Sequence, residues 1–157
     1  MTPDNEWSVG PIKPEETSWF REIAPESACE PYEIEAALAE DEILVWRSGG
    51  VPAAAASLIW RAFEMELRIL VVDRSFRRQG LASRILLELR DLAKQRGLRR
   101  IVLFTSNDNT PAIRLYQKIG FRLKALYPGR LERKRGCVRL GVDDIPIRDD
   151  VEMVWEF

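Results

Sequence analysis

The stretch Val71-Val72-Asp73-Arg74-Ser75-Phe76-Arg77-Arg78-Gln79-Gly80-Leu81-Ala82-Ser83 constrains this chain more than any other. An apolar strand runs there into an arginine-rich turn with a single glycine, and the turn opens a long amphipathic helix. Amides at a helix start have no intrahelical acceptor, and the helix dipole adds about half a positive charge there. Gly80 lets an anion approach the backbone with no side chain in the way. Arg74, Arg77, Arg78 and Arg84 supply countercharge of the kind a diphosphate requires. As a purely structural helix start the turn is a poor choice, because basic residues there oppose the dipole.

Two familiar phosphate loops are excluded. No Gly-Lys-Ser or Gly-Lys-Thr follows the strand, so the turn is not a Walker A loop, and one glycine does not make a dinucleotide fingerprint. The spacing present is Arg-x-x-Gly-x-Ala, at Arg77, Gly80 and Ala82. A second block follows about thirty residues on, with Asn109, Ala112, Leu115, Tyr116, Lys118, Gly120 and Phe121 in the order Asn-x-x-Ala-x-x-Leu-Tyr-x-Lys-x-Gly-Phe. Together these resemble the two acetyl-CoA-site motifs of the GNAT superfamily of N-acetyltransferases, and the resemblance covers Glu64 to Tyr127.

The resemblance implies a single N-acetyltransferase domain over residues 1–157, with a mixed α/β fold. Its central, mostly antiparallel sheet would be splayed around the acetyl-CoA site and flanked by helices. It further implies that Leu70, Val71, Val72, Arg77, Arg78, Gln79, Gly80, Leu81, Ala82, Ser83 and Asn109 contact acetyl-CoA, with Asn109 on the pantetheine arm. Tyr116 would be the general acid that protonates the departing thiolate. Some members place a glutamate base on the strand before the asparagine loop. The corresponding residue here is Phe104, which leaves Glu66 and Glu64 as candidates for a water-mediated base.

Each assignment has a plainer alternative. Tyr116 at helical spacing is also what a core aromatic looks like. Asn109 is also what a loop terminator looks like. Alternation alone explains Glu64 and Glu66 as polar residues on a solvated strand face.

The chain has no histidine. That excludes a Ser-His-Asp or Cys-His nucleophile and an HExxH metal site. Direct acyl transfer from a thioester to an amine survives this exclusion, since it needs no enzyme nucleophile. Cys29 and Cys137 have no paired spacing, so neither a disulfide framework nor a metal site is expected. With 157 residues, a net charge of -1, no signal-peptide pattern and no apolar run of membrane-spanning length, the sequence predicts a cytoplasmic enzyme that needs no membrane or nucleic acid as partner. The basic run Arg130 to Arg139 has no aromatic platform or recognised DNA-binding motif beside it. The long final connection and the C-terminal strand are where a homodimer contact would form.

Charge is unevenly distributed. Met1 to Glu42 carries twelve acidic residues against Lys13 and Arg21. By the resemblance this segment walls the acceptor groove, so an acidic wall would attract a small cationic amine. Solvated surface charge is the other reading of Glu30, Glu33, Glu35, Glu40, Asp41 and Glu42. The acceptor could instead be a protein N-terminus or lysine, and a CoA-binding regulatory module without turnover is the alternative from outside the enzymes.

Periodicity predicts strands at Trp7 to Ile12, Ile43 to Trp46, Val51 to Trp60, Phe63 to Val72, Ile101 to Thr105, Phe121 to Tyr127 and Val151 to Phe157. It predicts helices at Pro14 to Ile23, Pro31 to Ala39, Gln79 to Arg96 and from Thr110, taken as N-cap, to Gly120. On the fourth strand Met65, Leu67, Ile69 and Val71 form the core face, and both faces are expected to become buried at Leu70-Val71-Val72.

Overall fold

The computed structural model describes residues 6–27 and 30–157; Cys29 lies outside them. It divides into two compact units, one of Met1–Trp60 and Leu67–Ile85, the other of Arg61–Glu66 and Leu86–Phe157. Every strand pair whose register is known is antiparallel, and the mixed α/β class is the one the sequence implies.

In the first unit β1 (Trp7–Pro11) leads through a 3-10 turn to α1 (Thr17–Ile23), then α2 (Pro31–Glu40), β2 (Glu42–Ser48) and β3 (Val51–Trp60). β4 (Glu64–Val72) belongs to this unit from Leu67 onward, as do the first residues of α3 (Leu81–Gln95). The strand order is β1-β2-β3-β4. A two-residue Gly49-Gly50 turn joins β2 to β3 and fixes their register, with Ser48 opposite Val51. Ala53 to Ala56 are fully buried. Small side chains there let the helices approach, and Phe20, Ile23, Ile34 and Ala37 pack on Val45, Ala55, Ile69 and Val71. Burial of a large aliphatic side chain of this kind contributes about 2 kcal/mol. Alternation on β4 holds to its end. Leu70 and Val72 stay half-buried, so the expected switch to burial on both faces does not occur.

One polar contact is enclosed within this unit. Arg47 on β2 forms a bidentate pair with Glu16, with Nε 2.8 Å from Oε2 and Nη2 2.5 Å from Oε1. Arg47 also donates to the carbonyls of Pro11 and Val45. Both side chains are about 94% buried, at 6% and 7% exposure. Breaking such a pair leaves an uncompensated buried charge, which is why the strand and the turn before α1 stay joined.

The second unit contains the rest of α3, β5 (Arg100–Ser106), α4 (Thr110–Ile119), β6 (Arg122–Tyr127), α5 (Arg130–Arg135), the short strands β7 (Arg139–Leu140) and β8 (Pro146–Ile147), and β9 (Asp150–Glu156). The strand order is β5-β9-β6, with β9 antiparallel to both neighbours. β5 and β6 therefore run in the same direction, and α4 carries the chain across β9. Phe121 links α4 to the sheet, its ring 5.4 Å from Tyr116 and 5.3 Å from Trp155.

The connection from β6 to β9 is more ordered than its charged sequence suggests. Asn107 and Asp108, just before α4, fasten it. The Asn107 amide donates to Pro146 O at 2.9 Å, and its oxygen accepts from the backbone of Arg148 and Asp149. Asp108 is 3% exposed, and its Oδ2 accepts from Val142 N at 3.0 Å. Its Oδ1 is buried with no hydrogen-bond partner among the described residues. Gly141 makes the approach feasible: a Cβ there would stand 1.9 Å from Asp108 Oδ2 and 2.9 Å from Ile147 Cγ1.

Gly141→Ala should therefore destabilise the protein by about 2 kcal/mol, as overpacking does. In an Asp108→Ala background the same substitution should cost at least about 1 kcal/mol less. Denaturant unfolding of the four proteins of this cycle measures the difference, and additive costs would disprove the contact.

Candidate active site

The Arg-rich turn is built around Asp73. Its backbone N–H donates to Ala53 O at 2.8 Å, which ties the end of β4 to β3. Its side chain accepts from Ser75 N at 3.0 Å and from Trp19 Nε1 at 3.1 Å. The Ser75 amide, more than any other group, holds this carboxyl below its ordinary pKa, helped by Trp19 and by the charge of Arg77. From here Arg74–Phe76 forms one 3-10 turn, and Arg77 Nε reaches back to Val72 O at 3.0 Å.

Beyond this point the backbone enters the left-handed region twice, at Arg78 (φ 63°) and Gly80 (φ 71°). That conformation costs a side chain bearing a Cβ about 1–2 kcal/mol, so at Arg78 it is a local strain. Left-handed residues in such a run make backbone N–H groups converge on an anion-sized concavity. α3 starts at Leu81, two residues later than periodicity suggests, with Gly80 O accepting from Arg84 N. Leu81, Ala82 and Ser83 are thus first-turn residues whose amides have no acceptor within the helix.

The arginines of the turn make contacts within the chain. Arg74 pairs with Glu26 at 2.8 Å, Arg77 pairs with the same carboxylate, and the Arg84 guanidinium lies 5.1 Å from the centre of the Trp7 ring. Three of the four expected countercharges thus have protein partners. The first-turn backbone amides of α3 are the other groups there that could hold an anion.

In the second unit Asn109 and Tyr116 share one helix. Asn109 is the N-cap of α4, accepting from Ala112 N at 3.4 Å. Thr110 was the expected cap, but the Asn side chain wins the position and Thr110 becomes the first helical residue. The cap uses the Asn109 oxygen and leaves its Nδ2 as a separate donor. Tyr116, half-buried, follows seven residues on, nearly two turns, and so faces the same side about 10 Å along the axis.

Both candidate bases are ion-paired within this unit. Glu64 Oε2 lies 2.7 Å from Arg100 Nε, and Glu66 Oε2 lies 2.5 Å from Arg61 Nη2. The acidic N-terminal segment is similarly engaged. Glu30 and Glu33 form the capping box of α2, Glu35 pairs with Arg21, Asp41 holds Ser57 and Arg68, and Glu42 accepts from Trp60. These carboxylates are tied to local structure rather than arrayed as a bare wall.

A cluster that sequence reasoning missed lies on β5, β6 and β9. Phe104 stands opposite Glu152 in the strand register, and Tyr127 opposite Asp150. Tyr127 donates its hydroxyl to Glu152 Oε1 at 2.6 Å, and Lys124 Nζ lies 3.1 Å from Oε2. These donors, the tyrosine foremost, hold the Glu152 carboxyl below its ordinary pKa, and the same hydrogen bond raises that of Tyr127. No periodicity within a single segment announces such a group, because it depends on which strands pair.

The model of the acetyltransferase (GNAT) family matches residues 11–121. The uncharacterized protein YxbD of Bacillus subtilis is 33% identical over 104 residues, 63% of this chain and 65% of its own length. N-alpha-acetyltransferase 30 of Schizosaccharomyces pombe is 37% identical over 62 residues, 39% of this chain and 41% of that protein. The chain thus spans less than two thirds of the length of these relatives. Among solved structures, a GNAT family acetyltransferase from Elizabethkingia anophelis with acetyl-CoA bound has the same fold, with a TM-score of 0.83 over 98% of this chain and 99% of that one at 19% identity.

Because Asp73 and Glu16 both lie below their ordinary values of 3.8 and 4.5, their contribution to stability is complete above those values and is lost as pH falls through the lower folded-state values. For Glu16 the cause is foremost the hydrogen-bonded Arg47. Urea unfolding should give a free energy that declines below about pH 4. Asp73→Asn should flatten that decline while lowering stability at neutral pH, and an unchanged acid limb would contradict the assignment.

Proposed function

The chain belongs to the acetyltransferase (GNAT) family, and from that premise we propose that it transfers the acetyl group of acetyl-CoA to a primary amine by direct attack in a ternary complex. The observation that carries this reading is the turn from Arg77 to Ser83. A Cβ built at Gly80 would meet nothing within 4 Å, so the backbone there is open to a diphosphate. The amides of Gly80, Leu81, Ala82 and Ser83 would hold the diphosphate, with Arg78 and Gln79 beside them. The backbone of Leu70-Val71-Val72 and the Asn109 amide would hold the rest of the cosubstrate. Acetyl-CoA supplies an activated thioester.

The chain's own groups do the remaining work. A main-chain amide at the end of β4 stabilises the negative charge that develops on the acetyl oxygen, a contribution typically worth about 3 kcal/mol. Tyr116 gives its hydroxyl proton to the sulfur as the C–S bond breaks. A free primary amine has a pKa near that of lysine, about 10.4, so it must shed a proton before or during attack. Water passes that proton to Glu66 or Glu64, which lie beside Arg61 and Arg100. The Tyr116 phenolate is reprotonated from solvent, and the products are the amide and CoA thiol.

The acceptor class follows from a panel assay of thiol release against small amines, polyamines and peptides with a free N-terminus. Acetylation of a protein N-terminus is the second reading, favoured by the 37% identity to N-alpha-acetyltransferase 30. Peptide-dependent release that exceeds release with every small amine would decide for it. Acetyl-CoA binding without amine-dependent release from any acceptor would leave a CoA-binding module and overturn the enzyme reading.

Tyr116→Phe retains the ring and its contact with Phe121 while deleting the hydroxyl. Its melting temperature and acetyl-CoA affinity should match the wild type, whereas kcat should fall by roughly 10- to 1000-fold. Equal turnover would return Tyr116 to the core.

A further inference from the structure

Three side chains of the second unit, Phe104, Tyr127 and Asp150, converge on the Arg130 cation, and Glu152, paired with Tyr127 and Lys124, lies beside them. The Arg130 guanidinium, from the first residue of α5, lies 4.7 Å from the centre of the Tyr127 ring and 5.4 Å from that of Phe104. Its Nε is 3.7 Å from Asp150 Oδ2. Asp150 and Glu152 are two residues apart on β9 and therefore share a face, and the register places Phe104 and Tyr127 on that face beside them. The two carboxylate side chains are 13% and 9% exposed, while that of Arg130 is 46% exposed. The acidic and aromatic groups are thus fixed in the sheet, and the cation reaches them from solvent on a flexible stem.

We propose that Phe104, Tyr127, Asp150 and Glu152 form a subsite for the distal cationic end of the acceptor, an alkylguanidinium or alkylammonium group, and that Arg130 occupies this place until the acceptor displaces it. Aromatic faces attract cations through their quadrupoles, and guanidinium also stacks on them. The hydrogen bond from Tyr127 keeps Glu152 ionised and leaves a phenolic lone pair to accept from an incoming N–H. Arg130 is suited to a resident that yields. Its carboxylate contact is loose and exposed, and such contacts and exposed cation–π pairs are each worth about fivefold or less in an equilibrium constant. Only the side chain must move, because the α5 backbone is held separately by Leu131 and Glu132 donating to Arg148 O and by Gly129 donating to Asp149. The proposed subsite thus offers a cationic acceptor negative charge from β9, apart from the acidic beginning of the chain.

The word acceptor rests on the acetyltransferase reading, whereas cation binding does not, so the test is made without acetyl-CoA. Agmatine, a primary amine with a guanidinium at its other end, is titrated into the full chain and followed by NMR, with 4-aminobutanol as the neutral-ended control. Agmatine should bind more tightly than the control. Arg130→Ala should tighten it about threefold by removing the competitor, and Glu152→Gln combined with Asp150→Asn should weaken it at least about tenfold. Phe104→Leu, at a half-exposed position that tolerates the change, should weaken it about threefold even if the double variant fails to fold. Equal affinity for agmatine and the control, weaker binding in Arg130→Ala, or no effect of Phe104→Leu would overturn the proposal. Agmatine binding with this pattern but no acetylation of any amine would uphold the subsite and defeat the enzyme reading. Acetylation with no preference for a cationic end would do the reverse.

Discussion

The Asp73 carboxylate is the contact on which the rest of the candidate cosubstrate site depends. One side chain ends β4, starts the 3-10 turn through Ser75 N–H and takes the indole of Trp19 from α1. Its main-chain N–H holds the strand end against Ala53. Beyond that fixed end the backbone turns through the left-handed region at Arg78 and Gly80, with local strain at Arg78. The proposed anion binding then rests on the backbone. Pairing of Arg74 and Arg77 with Glu26 is therefore compatible with the proposed diphosphate site.

Asn107 and Asp108 play the corresponding part in the second unit. They sit immediately before the cap of α4, the helix that carries Tyr116, and bind Val142, Pro146, Arg148 and Asp149. The connection that carries Arg130 and the helix that bears Tyr116 are thereby held by two adjacent side chains. A buried carboxylate oxygen without a partner is a costly feature. Here it accompanies a close approach that only a glycine at position 141 permits.

Much of this was legible in the sequence. The strand, turn and helix around Gly80 are consecutive, so local chemistry reveals them, and all seven main strands fall within a few residues of where alternation and apolar runs put them. The cap of α4 lies one residue earlier than expected because Asn109, intrinsically the better N-cap, takes the position from Thr110. Partners far apart in the chain were not legible. Glu26 lies 51 residues from Arg77, and Glu64 lies 36 from Arg100. The cluster of Phe104, Tyr127 and Glu152 exists only because β9 inserts between β5 and β6, and a one-residue slip would have turned Glu152 to the other face. The short α5 carries no apolar periodicity, which is why the connection it belongs to read as featureless.

The most direct test of the account compares acetyl-CoA binding by calorimetry in the wild type, Gly80→Asn and Gly80→Asp. Both replacements tolerate the left-handed backbone better than other side chains, and there is room for either, so the pair differs chiefly by one negative charge. If the diphosphate lies over this turn, Gly80→Asn should retain measurable affinity and Gly80→Asp should bind about 100-fold or more weakly than Gly80→Asn, through like-charge repulsion. Equal affinity in the two folded variants, or no affinity in the wild type, would contradict the central claim.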